Sequence, residues 1–368
     1  MHVPFLDLQK QYQTIQETLE PELLALMRSA AFVLGPTVES LEANLAQFTN
    51  SQYAIGVSSG TDALICALMA LDIGPGDEVL VPSFTFFATA GAVSRVGAKP
   101  VFVDICKDSY LIDVAHAETL ITKNTKCIIP VHLYGQLAAM DQVLALANKH
   151  DLKVVEDACQ SIGASHQGEV KGVQGDMACL SFYPTKNLGA AGDGGMILTN
   201  DARLANRCFD LRIHGHDRLG TPYYHLSVGG NFRIDAIQAK VLDVKLRQLG
   251  AWNNKRQSNA SLYNELLCDA VKTPVLLSEN TSVYHQYVVG VKDRDALKSY
   301  LQNANIGSAV FYPMGLHMQE CFKSLGCKAG DCPVTEQACL EVLALPIVPE
   351  ISDEQIAYVA KTINAFYQ

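Results

Sequence analysis

Residues 53–71, YAIGVSSGTDALICALMAL, change character twice within a short span. Tyr53 to Val57 are apolar and suit a short buried strand. Ser58, Ser59 and Gly60 are small and turn-forming, and the apolar run from Ala63 to Leu71 is long enough for a buried helix. A strand that feeds a helix through a tight turn is the repeating unit of an α/β sheet.

The pattern recurs on the C-terminal side. Residues 74–105, GPGDEVLVPSFTFFATAGAVSRVGAKPVFVDI, read as turn, strand, loop, helix, turn and strand. KCIIPVHLYG (126–135), LKVVEDAC (152–159) and MACLSFY (177–183) are further buried strands, with a helix in DQVLALANKHD (141–151). Near-continuous apolar strands alternating with helices predict a mostly parallel sheet covered on both faces. On the N-terminal side, IQETLEPELLALMRS and VESLEANLAQFT carry helical periodicity. Past Lys245 the texture changes: a polar helix (251–270), an alternating strand (VYHQYVVGV), a helix (294–306), a strand (SAVFYP, 308–313) and a closing helix (353–367). The expectation is a large α/β domain over residues 1–245 and a smaller α+β domain over 246–368.

Composition narrows the function. The chain has 368 residues, 49% hydrophobic and 18% charged, with a net charge of -10. That supports a sizeable core and argues against disorder. Without basic runs, a nucleic-acid partner has no footprint. MHVPFLDLQKQY at the start lacks a charged-then-apolar leader, and no apolar run reaches membrane-spanning length, so a soluble cytoplasmic protein is expected. Most of the eleven cysteines sit singly in apolar runs, as buried free thiols do in a reducing compartment. Cys321, Cys327, Cys332 and Cys339 cluster near the end but contain no C-x-x-C pair, so no metal is expected.

Four motifs carry chemistry. SSGTDAL (58–64) joins strand to helix and suits either an ordinary capped turn or a phosphate held by backbone N–H groups. VVEDACQS places Glu156 and Asp157 at a strand's carboxyl end, where they either cap the next helix or face a ligand. PSFTFFATA offers aromatics that serve the core or stack on a planar ring. SFYPTKNLGAAGDGG (181–195) holds Lys186 among apolar and small neighbours, which suits a cleft-lining amine of lowered pKa, a nucleophile towards aldehydes. Phosphate cradle, ring platform, acid and amine together match what pyridoxal 5'-phosphate requires.

These motifs, with VPFLDL, LGPTVESLE, GPGDEVLVPSFTF, GAKPVFVDI, PVHLYGQ, VVEDACQSIGA and GGNFRIDAIQAKVL, resemble the DegT/StrS family of pyridoxal-phosphate-dependent nucleotide-sugar aminotransferases almost end to end. The resemblance implies fold type I and a homodimer with shared active sites. It makes Lys186 the lysine that carries the cofactor and Asp157 the partner of the ring nitrogen. Gly60, Thr61 and Ser181 would hold the phosphate, Phe86 would stack on the ring where many members have Trp or Tyr, and Gln160 would meet the ring hydroxyl. Asn231 would reach the phosphate of the other subunit, and Tyr183, Tyr312 and His317 would line the sugar site. The implied reaction moves an amino group, with L-glutamate as donor, to a keto nucleotide sugar for cell-surface polysaccharide, lipopolysaccharide or glycoside synthesis. Tyr183, Asp193 and FYPMGLHMQ (311–319) are more similar to the branch that aminates C3 than to the C4 branch, with UDP- and dTDP-sugars both open. HGHDRLGTPYYH (214–225) is expected to help decide between them. A dehydratase of the same family would carry histidine in place of Lys186, and a non-catalytic regulator would not need the full set.

Overall fold

The computed structural model describes residues 1–218, 220, 221 and 223–368. Two residues of the 214–225 segment, Leu219 and Pro222, therefore lie outside the described residues, and the choice of sugar expected from that segment goes with them.

A seven-stranded sheet forms the centre. In chain order its strands are β1 (Tyr53–Val57), β2 (Glu78–Pro82), β3 (Lys99–Val103), β4 (Thr125–Ile128), β5 (Lys153–Asp157), β6 (Met177–Ser181) and β7 (Gly195–Thr199). Across the sheet the order is β1-β7-β6-β5-β4-β2-β3. Only β7 runs antiparallel to its neighbours, β1 and β6; the other pairings are parallel. Successive side chains point to opposite faces, so each strand feeds two cores. Ile55, Val155, Cys179 and Ile197 pack with the helices Gly60–Ala70 and Ala202–Leu211. Ala54, Leu180, Met196 and Leu198 pack with Pro36–Phe48 and the start of Ala236–Leu266. This is the sheet of fold type I, with β7 as the strand that the glycine-rich run before it hides in the sequence.

A second layer is built on β8 (Tyr287–Gly290) and β9 (Val342–Leu345), an antiparallel pair. Helices Arg294–Asn303 and Asp353–Phe366 close over Tyr287, Val289, Leu343 and Leu345, and Val3 packs into the same core. The division expected at 245/246 falls inside one continuous helix, Ala236–Leu266. Its Ala236, Ala239 and Leu242 serve the large sheet, whereas its Ala260 and Tyr263 serve the second core. The strand expected at 308–313 does not form; only an isolated bridge joins Ala309 to Ala344. The Tyr134 hydroxyl donates to the Phe311 carbonyl, which takes that group away from any ladder. No helix among the described residues is long and apolar enough to cross a membrane.

Candidate active site

The carboxyl ends of the strands open on a cavity of about 790 Å³, within the range of pockets that hold small ligands. Each wall comes from a different turn. Ser59, Gly60 and Thr61 follow β1, Phe86 and Phe87 follow β2, Asp157, Cys159 and Gln160 end and follow β5, and Ser181, Tyr183 and Lys186 end and follow β6. Residues 285–286 and 310–314, with Leu316 and Gln319, close the far side.

The turn after β1 is tight because the sequence there is small. Ser59 caps the helix Gly60–Ala70, its hydroxyl accepting from Asp62 N–H at 3.0 Å. A Cβ on Gly60 would stand 2.6 Å from Ser181 Cβ, so glycine lets the turn close onto the end of β6. The N–H groups of Gly60 and Thr61 have no acceptor among the described residues. Two free donors at a helix N-terminus, beside the Ser181 hydroxyl, form a site for an anion such as phosphate.

Strand alternation separates the two acids. Asp157 is buried at the cavity, where its Oδ2 accepts from Thr89 Oγ1 at 2.7 Å and its Oδ1 from Cys159 N–H at 3.3 Å. Glu156 points the other way. Its Oε2 pairs with His132 Nε2 at 2.9 Å, and its Oε1 accepts from the N–H groups of Gln174 and Gly175. Glu156 is therefore a fastener for the loop behind the sheet, and Asp157 is the acid at the site.

Lys186 Nζ has no hydrogen-bond or ion-pair partner among the described residues, though the cavity lies open before it. Burial lowers the pKa of this ammonium below its ordinary 10.5, with Cys159 and Asp157 pulling weakly the other way. An unpartnered amine whose proton is loosely held is a nucleophile in waiting. Phe86 is 57% exposed, its ring turned to the cavity and centred 6.5 Å from that of Tyr312. Gln160 is held on both sides: its Oε1 accepts from Tyr134 N–H at 2.7 Å, and its Nε2 donates to Tyr312 Oη at 3.3 Å. Burial raises the Tyr312 phenol pKa, so the hydroxyl keeps its proton.

Nine of the residues expected at the site line this cavity: Gly60, Thr61, Phe86, Asp157, Gln160, Ser181, Tyr183, Lys186 and Tyr312. Two do not. His317 is buried away from it, with Nδ1 at 2.5 Å from Ser83 Oγ and Nε2 at 3.1 Å from Glu336. Both ring nitrogens are used, Nδ1 against the end of β2 and Nε2 against the helix Pro333–Glu341, so its place is behind the wall that Leu316 and Gln319 form. Asn231 is exposed, itself paired with Ile213 in an isolated bridge, and does not line its own chain's cavity. Sequence reasoning missed Cys159, His285 and Gln286 as lining residues; nothing in VYHQYVV separates a cavity histidine from a buried one.

A profile of the DegT/DnrJ/EryC1/StrS aminotransferase family matches residues 13–364. The chain belongs to that family. It is 46% identical to a pleiotropic regulatory protein of Geobacillus stearothermophilus, covering 100% of this chain and 99% of the relative. It is 42% identical to the UDP-N-acetyl-3-dehydro-alpha-D-glucosamine 3-aminotransferase of Acidithiobacillus ferrooxidans, covering 98% and 97%. Among solved structures it superposes on S. venezuelae DesV in complex with a ketimine intermediate, with a TM-score of 0.97 at 37% identity over 100% and 99% of the chains. It also superposes on NtdA from Bacillus subtilis with bound cofactor PMP, with a TM-score of 0.92 at 32% identity over 100% and 86%. Family membership gives the cavity's amine, acid and anion cradle a common purpose, amino-group transfer.

Proposed function

We propose that this protein is a pyridoxal 5'-phosphate-dependent aminotransferase that moves an amino group from L-glutamate to a 3-oxo UDP- or dTDP-linked hexose. The observation that carries the reading is one cavity shared by an unpartnered Lys186 amine, the Asp157 carboxylate and two free N–H donors at Gly60 and Thr61. That donor set fits the cofactor: the N–H pair and Ser181 would hold its phosphate, the Phe86 ring would lie against its face, and Asp157 would keep its ring nitrogen protonated. When bound, pyridoxal phosphate supplies an electron sink for the carbon that carries the amino group. Asp157 would serve it as an acid held in place by Thr89 Oγ1 and the Cys159 N–H. Lys186 Nζ, the group that would carry the cofactor, is also the base that moves the proton at that carbon, and its lowered pKa suits the task. Tyr183 and Tyr312 would orient the sugar.

The choice of C3 is supported by the named activity of the Acidithiobacillus relative and by Tyr183 and Asp193 in the cavity wall. The eleven free thiols support work in the cytoplasm. The Geobacillus relative's regulatory name supports a second reading, a non-catalytic regulator; the complete set of Lys186, Asp157 and the anion cradle favours the enzyme. An amination assay over 3-oxo and 4-oxo UDP- and dTDP-sugars with glutamate, the site of nitrogen attachment read by NMR, decides between them. Nitrogen at C3 is expected. Attachment at C4 overturns the regiochemistry, and a cofactor-loaded protein inert on the whole panel overturns the enzyme.

A further inference from the structure

Asp157 is pinned at its backbone by one set of bonds and at its side chain by another. Its N–H donates to Pro130 O at 2.9 Å, and its carbonyl accepts from His132 N–H at 3.0 Å, so residues following β4 hold the strand end. Those bonds leave the carboxyl free to turn about its own side-chain torsions. Two contacts stop it. Cys159 N–H reaches Oδ1 at 3.3 Å, a long bond from within the same turn. Thr89 Oγ1 reaches Oδ2 at 2.7 Å from the first turn of the helix Ala88–Arg95, which follows β2. The shorter bond comes from a separate element, so it fixes the carboxyl against the frame of the sheet.

A carboxylate only accepts, so the Thr89 hydroxyl gives its one hydrogen to Asp157. Thr89 Oγ1 then meets Thr85 Oγ1, 3.3 Å away, as an acceptor, and the Thr85 hydroxyl is the donor of that pair. A buried threonine in a helix ordinarily returns its hydroxyl to a carbonyl three or four residues back. Thr89 instead reaches a residue 68 positions along the chain. It has no exposed surface and no place in the cavity wall, whereas Thr85 and Asp157 both line the cavity. Whatever Thr89 does for a bound molecule, it does through Asp157.

We propose that Thr89 is a positioning residue for the amino transfer: its hydroxyl aims the Asp157 carboxylate into the cavity and steadies its negative charge opposite the cofactor's ring nitrogen. A carboxylate that accepts hydrogen bonds holds its charge and competes less for a proton shared with a neighbouring base. With Thr89 in place the shared proton stays on the ring nitrogen, which keeps the ring electron-withdrawing. Without it the carboxyl either turns away or takes that proton, and both outcomes weaken the electron sink. Thr85 supports the arrangement from the cavity side by occupying the remaining face of the Thr89 oxygen. This rests on the reading of Asp157 as the partner of the ring nitrogen.

The first test uses the wild-type enzyme loaded with pyridoxamine phosphate and needs no substitution. Neutron diffraction should find hydrogen on Thr89 Oγ1 directed at Asp157 Oδ2, and hydrogen on the ring nitrogen. A Thr89 hydroxyl turned to Thr85 overturns the proposal; a ring nitrogen without hydrogen overturns the reading of Asp157 on which it rests. The second test is nitrogen NMR of the bound cofactor, isotopically labelled at its ring nitrogen. Thr89→Val keeps the branched shape and loses the hydrogen, so the signal should move towards that of an unprotonated pyridine. Thr89→Ser keeps the hydroxyl and should stay near wild type. In turnover, Thr89→Val should lose roughly 10- to 100-fold in kcat with KM for glutamate little changed, the scale of one hydrogen bond to a charged group, and Thr89→Ser should recover most of it. An unmoved nitrogen signal in the valine variant, or a serine variant as impaired as the valine one, makes Thr89 merely structural.

Discussion

Asp157 and Glu156 are adjacent acids with unlike surroundings, and the difference gives the residue-scale predictions their direction. Asp157 meets a hydroxyl and an N–H at the cavity, while Glu156 is tied to His132 and two backbone N–H groups behind the sheet. Asp157→Ala should therefore reduce turnover by roughly 10²-fold or more, the scale for removing a main electrostatic partner, and Asp157→Glu by much less. Steady-state rates on the preferred sugar check this, and wild-type turnover in the alanine variant would leave Asp157 a structural acid. Lys186 yields a covalent test. Borohydride treatment of the yellow loaded protein should leave the cofactor's mass on the peptide holding Lys186, and a peptide map with the adduct on another lysine removes the central assignment. Because burial lowers the Lys186 pKa, the amine form is present at lower pH than for an exposed lysine. The rising limb of the rate profile with pH should accordingly lie below 10.5, the ordinary lysine value.

Turns and strand ends assemble the site at the scale of elements, and the turn after β1 bears the tightest constraint. Gly60→Ala brings a Cβ to 2.6 Å from Ser181 Cβ and 3.0 Å from Cys159 Sγ, so the turn and the end of β6 must part. The expected cost is about 1–3 kcal/mol of stability in denaturant unfolding, as for other overpacked sites. Affinity for pyridoxal phosphate should fall with it, because Ser181 and the two N–H donors separate; unchanged affinity by equilibrium titration would detach this turn from the phosphate. Elements of this kind were legible in the sequence where burial was two-sided, as in β5 and β6, since apolar runs bounded by turn residues have few other interpretations. β7 was not legible because GMILT follows a glycine-rich run that reads as loop, and its antiparallel direction leaves no mark in its residues. SAVFYP has the composition of a strand, yet the Tyr134 hydroxyl claims its Phe311 carbonyl from far away in the chain. His317 looked like a site residue for a similar reason: its motif lies at the cavity, but Ser83 and Glu336 turn the ring away from it. His285 escaped notice because it is fixed through Asn187 and Asn253, partners that sequence separation conceals.

The whole molecule presents a surface that one chain leaves bare. Tyr223 is 93% exposed, Val228 88% and Tyr183 54%, and Asn231 follows shortly after Val228 without reaching its own cavity. Apolar exposure of this kind ahead of Asn231, the position that the sequence resemblance implies for a neighbour's phosphate, motivates a proposed symmetric dimer in which each chain lends Asn231 to its neighbour. On that arrangement Asn231→Ala and Lys186→Ala homodimers are each impaired, one in the borrowed half of every site and one in the resident half. Dissociating and re-forming an equal mixture makes about half of the protein heterodimeric, by random pairing under two-fold symmetry. In each heterodimer one site carries both lesions and the other carries neither, so roughly a quarter of all sites should regain wild-type activity. Exchange is verified independently by native mass spectrometry of the two variants, one bearing a mass tag. Recovery near that quarter assigns Asn231 to the neighbouring site, because no rearrangement within a single chain repairs a missing lysine. Activity no greater than the sum of the two homodimers, with exchange complete, assigns Asn231 to its own chain or to neither site.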